Sequence, residues 1–508
     1  MIAATGFSHL GAAVTVRSFL ATERRDMQQQ DTGATSGLQS ARLDGKLVML
    51  GCGSIGQAAL PLLSRHIDAT GGLTVLSADE RGRGVATGRG AQFIHCHLKP
   101  GSYQRDLRRH LAAGDLLLNL SVDVSSVDLV EWCADHGVLY VDTSIEPWPG
   151  VFDNPMISVR ERTNFQTRER MLRLGRRLGA AAPTAVVDHG ANPGLVSHFV
   201  KRALLDVAGA LGHVPDRPAS QPHWAALARD AGVTLIQVSE RDTQAAERPK
   251  RPNEFVNTWS IDGFVDELMQ PAELSLGTSE PQKPRGALFH RRGSGSIYLR
   301  RPGGATFARS WLPSLGGFQG LLMTHDEVFS IADQLSVRDG QSFAYRPTVL
   351  FVYHPCDDAM LSALELEGRG WQMQPSRRVL TTDIVTGMDE LGVLLAGHAL
   401  NAYWFGSQLS IEEARRHVPH ANATTLQVAA GALAAVVFAI RHPRRGVLEA
   451  DDLDFEECLA VASPYLGRLV GAFTDWTPLQ GRGELFDEEI DPAQPWQLRN
   501  VRARQWRA

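Results

Sequence analysis

The chain is predicted to be an α/β protein: a doubly wound parallel sheet, then a mixed α/β domain, then a helical C-terminal region. Two observations carry this expectation. From Lys46 to about residue 195, apolar runs of strand length alternate with mostly helix-sized intervals, the pattern of parallel strands joined by crossover helices. Beyond about residue 232 the pattern changes to short β-like runs (VTLIQVSE, EFVNTWS, GALFHRR, SIYLRR, TVLFVYH) broken by Gly and Pro, which suits an antiparallel sheet. At 508 residues the chain is too long for one ordinary core. The expected divisions are 1–44, 45–195, 196–400 and 401–508, the last packing back on the first folded domain.

Residues 1–44 hold basic residues and polar tracts without a sustained apolar core, a poor secretory signal. A flexible extension is expected there, with Met27 a candidate start. KLVML is the first strand, GCGSIG a glycine turn and QAALPLLSRHI the helix it opens. Later strands are LTVLSAD, QFIHCHL, DLLLNLSVDV and VLYVDTS, and VVDHGANPGLVSHFVKRALL reads as a strand, a tight turn and a helix. The arginines between Arg160 and Arg177 read as the solvated face of a helix. LQVAAGALAAVVFAI, Leu426 to Ile440, is shorter than the ~20 residues a bilayer needs and is Ala-rich, so a buried helix is expected rather than a membrane span.

The net charge of -5 argues against a dedicated nucleic-acid binder, which would show a basic face. Five scattered cysteines without a C-x-x-C pair suggest neither a disulfide framework nor a zinc ribbon and fit a reducing cytoplasm.

Gly51, Gly53 and Gly56 follow an apolar strand and open a helix, the context in which G-x-G-x-x-G binds a dinucleotide. The glycines allow a tight turn and close approach of backbone to pyrophosphate, and the helix start at Ser54 and Ile55 supplies unpaired N–H groups. Asp79 ends the next strand, where a carboxylate takes the ribose hydroxyls and favours NAD; Arg81 and Arg83 keep NADP open. Asn119, Ser121 and Thr143 stand at later strand ends, where ligands collect in such sheets. Asn192-Pro193-Gly194 restricts the backbone beside this edge, and a functional loop and a plain turn fit it equally on local grounds.

Weaker signals have plainer readings. His95 and His97 are satisfied histidines, since no third metal ligand follows. Cys52 is a small residue tolerated by the turn, and HPCDD (His354 to Asp358) is a turn leading into a helix. No metal is expected. One stretch is unusual: Glu254, Asp262, Asp266, Glu267, Glu273 and Glu280 surround Trp259 without a Lys or Arg between Pro252 and Gln282.

GCGSIGQAALPLL, NLSVD, YVDTSIEPW, DHGANPGLVSHFVK, SERDTQ, EFVNTWSIDGFVDE, PAELSLGT and LLMTHDEVFSI, in this order and spacing, resemble the bacterial homospermidine synthases, a branch of the saccharopine-dehydrogenase-like reductases. The resemblance runs from Lys46 to the C-terminal helices. It implies a Rossmann domain joined to a substrate and dimerisation domain, a cytoplasmic homodimer, and NAD reduced and reoxidised within one cycle. It also implies the joining of two putrescines into homospermidine with release of ammonia, or spermidine as donor with release of 1,3-diaminopropane. The family's pocket residues fall on Asn192, Glu240, Trp259, Glu267 and His325, with Asp123 as a further substrate contact and Pro193 beside the cofactor.

These residue types suit the chemistry. Diamine nitrogens have lysine-like pKa values of about 10.4, and hydride leaves only from a carbon whose nitrogen is free to form an imine. One end must therefore lose a proton while the other is held as an ammonium. Carboxylates at Glu240 and Glu267 pair with ammonium groups, and an indole face attracts a cation. His325 and a pocket carboxylate stand as alternative general acids or bases. A carboxynorspermidine dehydrogenase would want a pocket Arg for its substrate's carboxylate, against which the acidic run argues; a non-catalytic dinucleotide sensor would bind NAD without turning over amines.

Overall fold

The computed structural model describes residues 41–152, 154–213, 217–291 and 293–503. Most of the expected 1–44 extension lies outside these residues. Ala41–Leu43 is a short strand pairing in parallel with Ile67–Ala69.

The first sheet has seven strands in the order Val447–Leu448, Ala185–Val186, Leu139–Asp142, Leu116–Asn119, Leu47–Leu50, Leu73–Ser77, Gln92–His95, all parallel. The six strands from the N-terminal half are in the 3-2-1-4-5-6 order of doubly wound dinucleotide-binding sheets. Their apolar side chains are buried on both faces, as the near-continuous apolar runs foretold. The seventh strand comes from the C-terminal region, so the chain returns to close this sheet.

The second sheet has ten strands and is mixed. Most of its pairs are antiparallel, but Thr348–His354 runs parallel to Leu235–Asp242, pairing Tyr353 with Glu240. A parallel neighbour needs a long crossover, and the more than a hundred residues between these strands supply it. The region from residue 401 contains the helices Ile411–His417, Ala423–Arg441 and Phe455–Ala462, yet it also gives this sheet two strands, Asn401–Ser410 and Arg468–Thr474. NAYWFGSQLS is rich in aromatic residues that favour a pleated, half-buried surface, and antiparallel pairing to Met388–His398 overrides the helical expectation there.

The helix Ala423–Arg441 is long and apolar enough to cross a membrane, but 89% of its apolar window is buried in protein. It packs along Ser54–His66, the helix opened by the glycine turn. At Gly431 it touches the loop that follows Ala185–Val186: a Cβ there would meet Gly190 O at 2.0 Å. Neither backbone can yield cheaply, so Gly431→Ala should cost about 1–3 kcal/mol of stability. It should also displace the Asn192 loop, lowering turnover further than the melting temperature alone explains; a variant with wild-type melting and turnover would contradict this.

The arginine-rich helix Asn164–Leu178 corrects one expectation. Arg170 and Arg177 are exposed, but Arg168 is buried and bonded to Glu449 at 2.5 and 2.8 Å and to Asp333 at 3.0 Å. A guanidinium can be buried when carboxylates satisfy its fork of donors, and helical periodicity alone does not reveal them.

Candidate active site

One cavity of about 410 Å³ runs from the glycine turn to the edge of the second sheet. Its cofactor end starts at Gly51, whose φ is +91° and whose added Cβ would meet Leu120 O at 2.7 Å and Ser121 N at 2.9 Å. Only glycine fits such a turn. A Cβ at Gly53 would meet nothing within 4 Å, so this side of the backbone is open to a phosphate. Gly53 caps Ser54–His66 without a side-chain bond, leaving the first N–H groups of a thirteen-residue helix to an anion. Ser54, Ile55 and Gly56 line the same end, and Gly56 packs against Gly51 O.

Asp79 lies on the rim. Its Oδ1 accepts from Arg81 N at 2.9 Å and its Oδ2 from the Arg81 guanidinium at 2.8 Å, and this contact holds the carboxyl below its usual range. Arg83 is occupied by Glu80, which also lies near His95. Both arginines that kept NADP open are thus engaged by acids. Asn119 Oδ1 accepts from Ser121 N at 3.2 Å and Oγ at 2.6 Å, and Asn119 Nδ2 donates to Tyr140 Oη at 3.2 Å. Asn119 therefore braces the strand end, while Ser121 and Thr143 also line the cavity. The Cys52 thiol is buried and pushed up to about 11, which makes it inert.

At the substrate end, Asn192 Nδ2 donates to Glu240 Oε2 at 2.8 Å, tying the Asn192-Pro193-Gly194 loop to the second sheet. Burial, with Asp389 and Asp242 behind it, pushes the Glu240 carboxyl well up, opposed by the Asn192 bond and by His325. Trp259 is half-buried, its ring meeting Phe264 edge-on with centroids 5.6 Å apart. The helix Ile261–Met269, capped by Ser260, carries Asp262, Asp266 and Glu267 to the cavity wall. His325 Nδ1 is 3.2 Å from Glu327 Oε1, and its Nε2 is 3.3 Å from Glu267 Oε2 at an angle too poor for a hydrogen bond, so this second contact is electrostatic. Burial opposes charge on the imidazole, but Glu327 and Glu267 outweigh it and hold the group well above its usual range.

This places Asn192, Glu240, Trp259, Glu267, His325 and Asp123 around a single space shared with the glycine turn. The acidic run divides. Asp262, Asp266 and Glu267 line the cavity. Glu254 is bound by Arg248 and Arg378, Glu273 is buried against Thr324 and His290, and Glu280 accepts from Leu498 N. Among the described lining residues Arg81 is the sole Lys or Arg, and it sits at the Asp79 end.

The N-terminal part, residues 47–186, matches the family model described as Saccharopine dehydrogenase NADP binding domain, and residues 190–474 match Saccharopine dehydrogenase C-terminal domain. A homospermidine synthase of Blastochloris viridis is 49% identical over 469 residues, covering 91% of this chain and 98% of that protein. One from Mesorhizobium japonicum is 45% identical over 471 residues, covering 91% and 97%. The chain belongs to the homospermidine synthase family. A crystal structure of the homospermidine synthase of Legionella pneumophila in complex with NAD superposes with a TM-score of 0.86 at 40% identity, covering 92% of this chain and all of that one.

Within the family's fold, several lining residues escaped sequence reasoning. Glu146 is pushed up to about 8 by burial and by Asp266, Glu267 and Asp123, opposed by a bond from Ser144. It lies in YVDTSIEPW, a matched segment whose Glu carried no separate signal. Tyr353, in register beside Glu240, could have been found from the alternation of TVLFVYH once that strand's pairing was known. Asp188, inside DHGANPG, and Asp326, inside THDE, also line the cavity, close in sequence to Asn192 and His325. His189, His198 and Cys458 bring ligand atoms within 4.8 Å of one another, but the two histidine Nε2 atoms are only 2.8 Å apart, a hydrogen bond and closer than the ~3.3 Å of two nitrogens on a tetrahedral zinc.

Proposed function

We propose that this chain moves an aminobutyl group from putrescine to a second putrescine, giving homospermidine and ammonia, with NAD as a recycled cofactor. The observation that carries this reading is the continuity of one cavity between a glycine turn open to a phosphate and a carboxylate-walled pocket; the one guanidinium among the described lining residues, Arg81, lies at the glycine-turn end and is occupied by Asp79. Spermidine would serve as an alternative donor, with 1,3-diaminopropane released. A cytoplasmic homodimer that binds neither nucleic acid nor membrane completes the proposal.

Bound NAD supplies a hydride acceptor and then, reduced, the donor. The protein's own groups do the rest. Asn192 fixes one oxygen of Glu240 and leaves the carboxylate to hold an ammonium, while the Trp259 face steadies the cationic chain without demanding a bond direction. His325, carrying a proton between Glu267 and Glu327, can give it to nitrogen leaving as ammonia and regain one from the incoming amine. Two putrescine dications carry the same total charge as a homospermidine trication plus ammonium, so protons as well as hydride are recycled.

Product identity tests the reading. Purified protein with putrescine and a trace of NAD should yield homospermidine and ammonia by mass analysis, whereas 4-aminobutanal with accumulating NADH and no triamine would overturn it.

Cofactor choice gives a second expectation. Asp79→Ala removes the ribose carboxylate and frees Arg81, so NAD use should fall by about 10- to 100-fold, the scale of lost charged hydrogen bonds, while NADP use falls less. Equal losses would place the ribose elsewhere. Trp259→Ala should slow putrescine turnover by up to roughly thirtyfold from the lost cation–π attraction of about 0.5–2 kcal/mol, and Trp259→Phe should retain part of it. Wild-type turnover in Trp259→Ala would make the indole a packing residue only.

A further inference from the structure

Two acids on the cavity wall are not used above. Asp188 begins the loop that carries Asn192, and Asp326 lies between His325 and the helix Glu327–Gln334. Both are buried on the same cavity wall, each with an orphaned carboxyl oxygen, and a side-chain hydrogen bond between them contributes to the electrostatics of each. Asp188 Oδ1 accepts from Ile145 N at 2.8 Å, and Asp188 N donates to Asp142 Oδ1 at 2.8 Å. Asp188 Oδ2 and Asp326 Oδ1, in contrast, are buried oxygens that no N–H or existing O–H reaches. Two carboxylates cannot satisfy one another; a carboxylic acid and a carboxylate can.

We propose that Asp188 and Asp326 share one proton and that this O–H···O bond is a positioning clasp, holding the Asn192 loop of the cofactor side against the His325 segment of the substrate side. No bond in the substrate is made or broken by the pair. Its task is to keep the Asn192–Glu240 contact and the Glu267–His325–Glu327 triad in a fixed mutual placement. The acidic neighbours favour retention of the proton, and Arg168 opposes it at Asp326. Asp142 and Glu449 face Asp188; Glu273 and Glu449 face Asp326; Arg168, the cation near Asp326, is already taken by Glu449 and Asp333. Burial, added to these acids, pushes both carboxyls well above the ordinary range.

The sign of the pH effect follows. Unfolded carboxyls lose their protons near ~4, whereas the folded pair keeps one to higher pH, so wild-type stability attributable to the pair falls as pH rises from about 4 through the raised folded value. An amide can donate in place of the shared proton and does not ionise.

The test uses the full chain with Asp188→Asn, Asp326→Asn and Asp326→Ala, reading melting temperature against pH and kcat and KM for putrescine. The activity arm rests on the proposed function; the melting arm stands without it, so the two can fail separately. Each Asn variant should melt above the wild type at neutral pH, with the difference closing toward pH ~4, and should keep kcat to within about fivefold. Asp326→Ala should lose roughly 100-fold in kcat with little change in KM, the scale of misplaced reacting groups. A pH-independent melting difference in both Asn variants would overturn the shared proton. Asn variants as inactive as Asp326→Ala, or Asp326→Ala with wild-type kcat, would overturn the clasp.

Discussion

Glu240→Ala is expected to lower putrescine turnover by roughly 100- to 5,000-fold, because an ammonium left in a buried site without its carboxylate costs about 3–5 kcal/mol. Glu267→Ala should act in the same direction but less strongly, since Glu267 is only half-buried on the cavity wall. The structure adds an expectation of opposite sign. Burial, with Asp389 and Asp242 adding to it, holds the Glu240 carboxyl well above the usual range. That raised value means the stability associated with Glu240 declines as pH rises through it, and Glu240→Gln should melt above the wild type at neutral and alkaline pH. The same substitution should abolish tight diamine binding. In the wild type, affinity for putrescine should fall on the acid side as Glu240 takes up a proton. Parallel losses of melting temperature and turnover in Glu240→Gln would reduce the residue to a packing role.

His325→Ala is expected to cost about 100- to 10,000-fold in kcat, the range for removing a general acid–base. The imidazole also neutralises Glu267 and Glu327 in a buried triad, so stability should drop as well. Its folded pKa is raised, so the stabilisation is full below the unfolded value of about 6.5 and is lost as pH rises through the folded one. The melting gap between wild type and His325→Ala should therefore be widest below about pH 6.5 and close as pH rises through the folded value. A gap that widens with pH would assign the proton to one of the carboxylates instead.

The parallel sheet was legible because most of its strands from the N-terminal half are apolar runs bounded by turns, and Gly51, Gly53 and Gly56 fixed which strand leads into the phosphate-binding helix. Less was legible where pairing is non-local. Asn401–Ser410 reads as a strand only beside Met388–His398, and Val447–Leu448 is too short to signal itself before it docks against Ala185–Val186. At the site, motif resemblance gathered Asn192, Glu240, Trp259, Glu267 and His325, but the acidic run around Trp259 concealed a division of labour. Glu254 and Glu273 look like Glu267 in sequence and differ only in whether Arg248, Arg378 or His290 happens to fold against them. Asp188 and Asp326 are remote in the chain, and nothing short of the fold places one carboxyl against the other.

The claim that hydride leaves and returns within one cavity is tested most directly with putrescine deuterated at both carbons that bear nitrogen, turned over in the presence of excess unlabelled NADH. A cofactor that stays bound while it is reduced and reoxidised returns the same deuterium to the carbon it came from. Homospermidine should then keep every deuterium of its two parent diamines and form in large molar excess over added NAD. A product one deuterium short, its label washed into the NADH pool, would contradict internal recycling.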